Sequence, residues 1–188
     1  MGRFNLTETG IKDLKIIKYE PFLDERGYFF EAYNKNDFIK MGIEDEFVQD
    51  NESMSSYGVL RGLHFQINYP QAKLVRCLKG KVYDVAVDLR PNSPTYGKYH
   101  GVILTEDNKT MFYIPKNFAH GFLVLSDVAI FTYKVTDFYH PNDEGGIMYN
   151  DHDLNIDWPI PNDKNFKLIL SEKDKCHPNF KDLKITHK

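Results

Sequence analysis

Between Lys15 and Tyr139, apolar and polar residues alternate in a series of short runs, the pattern left by half-buried strands. Lys15 to Pro21 reads as an edge strand and Gly27 to Tyr33 as a second. Further strand-like runs cover 45–53, 58–66, 73–78, 80–90, 99–105, 111–115 and 119–139. Turn residues separate them at Lys79-Gly80, Arg90 to Pro94, Glu106 to Asn108 and Pro115 to Asn117. Asn34 to Met41 predicts a short helix with Asn34 as N-cap. Leu168 to Lys175 predicts another, within a polar tail that begins near Pro159. Many short strands at this spacing predict an all-β sandwich or barrel with short peripheral helices. Nothing in the pattern divides residues 1–188 into more than one domain.

Strand parity sharpens the picture, because alternate residues face opposite sides of a sheet. Along Lys81 to Leu89, one face carries Tyr83, Val85, Val87 and Leu89, and the other Val82, Asp84, Ala86 and Asp88. Phe131, Tyr133, Val135, Asp137 and Tyr139 share a parity, as do Phe118, His120 and Phe122, and Phe29, Glu31 and Tyr33. Several strands therefore offer a mixed face of carboxylates, phenols and imidazole among aromatics. A barrel mouth lined in this way suits a small molecule.

The run RGLHFQ, Arg61 to Gln66, raises the chemical question. Its histidine could be a core residue satisfied by the backbone, a metal ligand, or a base. A buried arginine demands an anion. Strict alternation puts Arg61 and His64 on opposite faces unless Gly62 marks a bulge that resets the register, and a bulge is the expected solution. Small β-barrels that hold a metal often use a His-x-His pair. Here position 66 is Gln, and although His120 could be the later histidine, three ligands are not assembled from this pattern, so no metal is expected.

Composition excludes other classes. The chain has 188 residues, 41% hydrophobic and 27% charged, which is ordinary for a globular domain with a real core. A net charge of −3 without a basic block argues against a nucleic-acid partner, so an anionic ligand must be met by a few placed cations. Two cysteines, Cys77 and Cys176, suit a reducing compartment rather than a disulfide framework. MGRFNLTETGIKDLK lacks the apolar core of a signal peptide, and Leu6 breaks the myristoylation pattern. With no stretch long enough to span a membrane, a cytoplasmic protein is expected.

The stretches FVQDNESMS, VLRGLHFQ, QAKLVRCLKGKVYDVAVDLR, NSPTYGKYHGVIL, FYIPKNFAHGFLVLSD and DWP occur in order over about Asp24 to Asp174. Together they resemble the dTDP-4-dehydrorhamnose 3,5-epimerase family of nucleotide-sugar epimerases. The resemblance implies a cupin-like jelly roll, a homodimer with exchanged strands, and no metal or organic cofactor. It implies as substrate a nucleotide-linked 4-keto-6-deoxy sugar, whose carbonyl acidifies the C3 and C5 hydrogens. It makes His64 the base, oriented by Asp174 of Ser171-Glu172-Lys173-Asp174. An imidazole with a pKa of about 6.5 is largely free to accept a proton at neutral pH.

By the same resemblance Lys73 stabilises the enolate oxygen and Tyr133 is the acid across the ring, with Tyr139 as substrate contact and second candidate acid. Arg26 and Arg61 match phosphate contacts. Phe29, Glu31, Gln49 and Asn51 fall on segments that hold base and ribose, and His120 matches a pocket residue. Asp84 is expected behind the site, holding Lys73 or His120. The chain departs from the usual family pattern at Ala72, where Gly is common, and at Tyr149, where Trp is common. The alternatives are inversion at C3 alone, a different nucleotide-linked 4-keto sugar, or a metal-dependent isomerase of the same barrel type.

Overall fold

The computed structural model describes residues 3–183. Its elements are β1 (Phe4–Glu8), β2 (Lys15–Tyr19), β3 (Phe22–Asp24), β4 (Gly27–Phe29), α1 (Lys35–Lys40), β5 (Gln49–Ser56), β6 (Leu60–Gln66), β7 (Lys73–Lys79), β8 (Lys81–Asp88), β9 (Tyr99–Thr105), β10 (Thr110–Ile114), β11 (Phe118–Val124), β12 (Val128–Val135) and β13 (Glu144–Gly146). One sheet runs β1-β2-β10-β7-β12-β5 and the other β13-β6-β11-β8-β9. Strands β5 to β12 alternate between the two sheets except at β8 and β9, which are neighbours in the five-stranded sheet, so the chain crosses the sandwich repeatedly, as a jelly roll does.

Between the sheets lies a core of Val75, Cys77, Val82, Ala86, Phe112, Phe118, Phe122 and Phe131. Phe122 and Phe131 stack across it with centroids 4.3 Å apart. Burying each such ring contributes about 1.5–3 kcal/mol, and this layer fixes the spacing of the sheets. The second face of β8, with Tyr83, Val85, Val87 and Leu89, points outward. It is covered by Leu154, Trp158, Phe166, Leu168 and Leu170. The polar tail is therefore a cover for one sheet, with its few apolar residues turned inwards. On the other sheet Phe38 and Ile43 cap Ile17, Leu74, Met111 and Tyr113.

Several boundaries differ from those expected. β1 pairs with β2, so the strand at Lys15 lies inside its sheet. The run 119–139 breaks into β11 and β12 at Leu125 to Asp127, and Tyr139 lies beyond the end of β12. Leu168 to Lys175 is not a helix. Ile169 bridges Val59, and a single 3-10 turn covers Asp174–Cys176. Helix propensity lost there because an extended tail satisfies the backbone of Leu60, whose N–H donates to Ile169 O at 2.9 Å. The helix after Asn34 forms as expected, with the Asn34 side chain accepting from Asn36 and Asp37 N–H.

The two aspartates on the inner face of β8 do different work. Asp88 is fully buried and accepts bonds from Arg90, Ser93 and Thr95. Burial raises its carboxyl, but these donors outweigh it and hold the pKa at about 2. Asp88 thus pins the turn that follows β8, while Asp84 remains for the cavity.

The bulge forms at the expected glycine. His64 faces His120 and Arg61 faces Phe122, so Gly62 and Leu63 oppose Gly121 alone. Gly62 has φ +123, and an added Cβ would meet Gly121 Cα at 2.5 Å and His120 O at 2.8 Å. Gly62→Ala is expected to cost about 2 kcal/mol or more, lowering Tm by roughly 4–8 °C for a chain of this size. Thermal unfolding followed by circular dichroism measures it, and an unchanged Tm would contradict the bulge.

Candidate active site

The bulge lets Arg61 and His64 open into one cavity of about 200 Å³ between the sheets. β6 and β11 bring His64, His120 and Phe122 to one wall, with Asp84 of β8 behind it. β7 and β12 bring Lys73 and Tyr133 to the facing wall, on the same inward parity as Val75 and Val135. Tyr139 and Glu144 stand at the mouth, where a neighbouring cleft of about 450 Å³ shares the walls of Arg61 and His64.

His64 is partly exposed, and its Nε2 lies 2.5 Å from Oδ1 of the buried Asp174. The tail delivers that carboxylate from 110 residues away. Ile169 docks on Gly58 and Leu60, and the Asp174 N–H then donates to Ser171 Oγ at 3.1 Å. Burial pushes the Asp174 carboxyl up. The bond and charge of His64, with the Ser171 contact, outweigh that and hold it below the usual carboxylate range. An ionised Asp174 keeps the His64 proton on Nε2, which leaves the lone pair on Nδ1.

Lys73 is buried, and desolvation lowers its pKa to about 8 against the opposing pull of the Asp84 and Glu144 charges. Asp84 is fully buried and its carboxyl is pushed up by desolvation, resisted by His120 and Lys73. It bonds His120 Nε2 at 2.9 and 3.0 Å, so of the two expected partners it holds His120. Burial also raises the Tyr133 phenol, which stays protonated at neutral pH.

A match to the family model described as dTDP-4-dehydrorhamnose 3,5-epimerase covers residues 8–182. The chain belongs to the dTDP-4-dehydrorhamnose 3,5-epimerase family. It is 51% identical to the enzyme of that name from Methanothermobacter thermautotrophicus over 184 residues, 98% of this chain and 97% of the relative. The crystal structure of the Elizabethkingia anophelis family member superposes with a TM-score of 0.90 at 54% identity, covering 96% of this chain and 98% of that one. A Legionella pneumophila dTDP-6-deoxy-D-glucose-3,5-epimerase, crystallised in complex with dTDP-4-keto-L-rhamnose, gives a TM-score of 0.92 at 48% identity, covering 97% and 95%.

Of the residues that the likeness to this epimerase family singled out, His64, Lys73, Tyr133, Arg61, His120 and Tyr139 line the cavity, with Asp84 and Asp174 behind them. Asn51 lines a separate cleft whose wall also includes Tyr133. Gln49 donates to Asn51 Oδ1 at 2.8 Å and accepts from the Tyr139 N–H at 3.2 Å. Glu31 accepts from Asn34 at 3.3 Å, near the start of α1. Arg26 and Phe29 lie on the exposed β3–β4 hairpin, where Arg26 pairs with Asp24. Arg26, Phe29 and Glu31 line no part of this cavity.

Sequence reasoning missed Glu144 and Gln66. Glu144 Oε2 accepts from Tyr139 OH at 3.0 Å and pairs with Lys173, linking the mouth of the cavity to the tail. Burial raises its carboxyl, but Lys173 and Tyr139 hold it below the ordinary range. A glutamate in a Pro-Asn-Asp-Glu-Gly-Gly turn looks like a solvated charge, so no signal marked it. Gln66 donates to Tyr69 O at 2.7 Å and Phe138 O at 3.2 Å, and accepts from the His140 N–H at 2.8 Å. Its amide is thus fully engaged by backbone on both sides of Tyr139. Gln66→Ala is expected to speed amide hydrogen exchange of His140 about tenfold, the loss of one net hydrogen bond of about 1.4 kcal/mol. Exchange unchanged at His140 would mean that another contact holds the segment.

Proposed function

We propose that the protein inverts C3 and C5 of a dTDP-linked 4-keto-6-deoxy-glucose by proton removal and return, a step towards a dTDP-L-rhamnose-type sugar. The observation that carries this reading is the approach of His64 and Tyr133 to one cavity from facing sheets, with the buried Lys73 on the Tyr133 wall. A flat enolate between the sheets would have a base on one face and an acid on the other. The nucleotide-linked keto sugar is supported by the relative crystallised with dTDP-4-keto-L-rhamnose.

In the proposed cycle His64 Nδ1 takes a proton from the carbon beside the ketone, and Asp174 balances the imidazolium. The electron pair moves to the C4 oxygen, where the Lys73 ammonium meets it in a site of low dielectric. Tyr133 returns a proton to the opposite face, its phenolate is reprotonated from solvent, and the His64 imidazolium releases its proton to solvent. One C–H bond breaks and one forms at each centre, so no redox partner enters the balance and no cofactor is invoked. His120, held by Asp84, and Arg61 line the substrate, Arg61 as a phosphate contact. Tyr139, Gln49 and Asn51 serve the nucleotide end.

The site is completed by a second copy in this reading. Leu23, Tyr28 and Phe29 are 77%, 59% and 69% exposed on a two-stranded arm outside both sheets. An arm this apolar is suited to covering another protomer, which would carry Arg26, Phe29 and Glu31 to the partner's nucleotide. A single domain, working as a cytoplasmic homodimer, carries the activity. Among the described residues no helix is long and apolar enough to cross a membrane.

Turnover in D₂O is expected to place deuterium at both C3 and C5. Label at C3 alone would make the enzyme a 3-epimerase, and no label at either carbon would sink the proposal. His64→Ala should slow exchange by about 10²–10⁴-fold. The pH profile tests Lys73. Its cationic form is lost as pH rises through about 8, so kcat/KM should fall across that range. Asp84→Asn removes a negative charge that raises the Lys73 pKa, so this alkaline limb should move to lower pH. A limb that stays in position would remove Lys73 from the chemistry.

A further inference from the structure

The carboxylate that orients His64 has a second imidazole beside it. His177 Nε2 lies 3.4 Å from Asp174 Oδ1, and the His177 and His64 rings meet edge to face with centroids 5.5 Å apart. The His177 side chain is 8% exposed, yet its Nε2 makes no hydrogen bond. A buried ring nitrogen without a hydrogen bond calls, in a native structure, for a ligand or a role. Room for the ring comes from Gly146, where an added Cβ would collide with the imidazole. Gly146 is also the register partner of His64 on β6. The backbone is thus thinned where the two histidines and the aspartate converge.

One donor atom from each of His64, Asp174 and His177 lies within 4.8 Å of the others. We propose that these three residues form an inhibitory transition-metal site, best matched to Zn²⁺, and that its occupation disables the base. Two imidazole nitrogens and one carboxylate oxygen favour zinc and its neighbours over magnesium or calcium. Zinc bonds of about 2.0–2.1 Å in a tetrahedron separate donors by about 3.3 Å. The Asp174–His177 spacing of 3.4 Å already meets that requirement. The His64–Asp174 contact must open from its 2.5 Å as the metal replaces the shared proton. Lys173 lines the adjoining clefts, but its charge is paired with Glu144 and does not face the metal alone.

The shut-off follows from tautomer chemistry and rests on the reading of His64 as the base. In the resting dyad the proton sits on Nε2 and the lone pair on Nδ1. A metal bound at Nε2 needs the lone pair of that nitrogen, so the ring's one proton moves from Nε2 to Nδ1. No proton is gained or lost overall. The ring is left with no free lone pair, so it cannot take a hydrogen from carbon. Substrate contacts through Arg61, Lys73 and His120 are untouched, so the block falls on kcat and leaves KM in place.

The test uses the full chain, with Zn²⁺ alone for kinetics and Co²⁺ alone as a spectroscopic probe without substrate. Expected are a visible band of low-coordinate Co²⁺, and a Zn²⁺-dependent fall in kcat at constant KM that EDTA reverses. His177→Ala should weaken both at least tenfold, each measured against that variant's own metal-free activity. His177→Gln, which fills the same space, should do the same if the alanine variant fails to fold. Zinc that raised KM at constant kcat, or acted equally on both variants, would overturn the site. So would the absence of a His177-dependent Co²⁺ band, and that result would leave the epimerase reading standing. Cobalt bound through His177 with kcat unaffected by Zn²⁺ would instead overturn the shut-off and the role of His64 as base.

Discussion

A single contact, His64 to Asp174, organises what the rest of the chain must do. A histidine on an inner strand is free to rotate and to exchange tautomers unless something fixes one nitrogen. The buried Asp174 does so from the far end of the described chain, and its own ionisation is sustained by that bond and by Ser171. For the carboxylate to arrive there, the tail has to cross the outer face of the five-stranded sheet. Leu154, Trp158, Phe166, Leu168 and Leu170 anchor it on the apolar face of β8. Cover for the sheet and aim for the imidazole are therefore one requirement met by one segment.

Charges inside the sandwich follow a rule of pairing. Asp84 is matched by His120, Asp174 by His64, and Glu144 by Lys173 and Tyr139. Lys73 is buried among these groups and sees Asp84 and Glu144 through space. Desolvation weakens its hold on the proton without removing it at neutral pH. An ammonium in that condition gains most when negative charge develops nearby, which is the situation of an enolate oxygen and not of a neutral ketone. The low pKa and the proposed electrostatic role thus have the same origin in burial.

Much of this was legible in the sequence, and the failures have physical causes. Parity separated the inner face of β8 from its apolar outer face, because both faces are buried against different partners and each keeps its own alternation. Gly62 announced the bulge, since without it Arg61 and His64 could not share a cavity. Asn34 announced α1. Tyr139 lines the cavity, but the strand before it ends at Val135, and parity ends with the strand. Its position depends on Gln66 and Gln49 gripping backbone far away in sequence, which no local pattern records. The tail misled for a related reason. Its apolar residues sit at irregular spacing, suited to a sheet surface and not to a helix face, so neither period was visible. Glu144 and His177 carried no signal at all, because a glutamate in a turn-like sequence and a histidine in a polar tail acquire meaning only from what folds beside them.

The long separation between His64 and Asp174 also has a consequence for when activity can arise. Closing a loop of 110 residues costs entropy that local strand pairing does not repay. The β6–β11 and β8–β11 pairings create the apolar face on which the tail docks. Without the docked tail His64 has no fixed tautomer and Glu144 has no Lys173. The sandwich can therefore be built, with its aromatic core intact, before the site is competent. Stability and competence reside in separable parts: the first in Phe112, Phe118, Phe122 and Phe131 between the sheets, the second in a strap of chain laid over the outside.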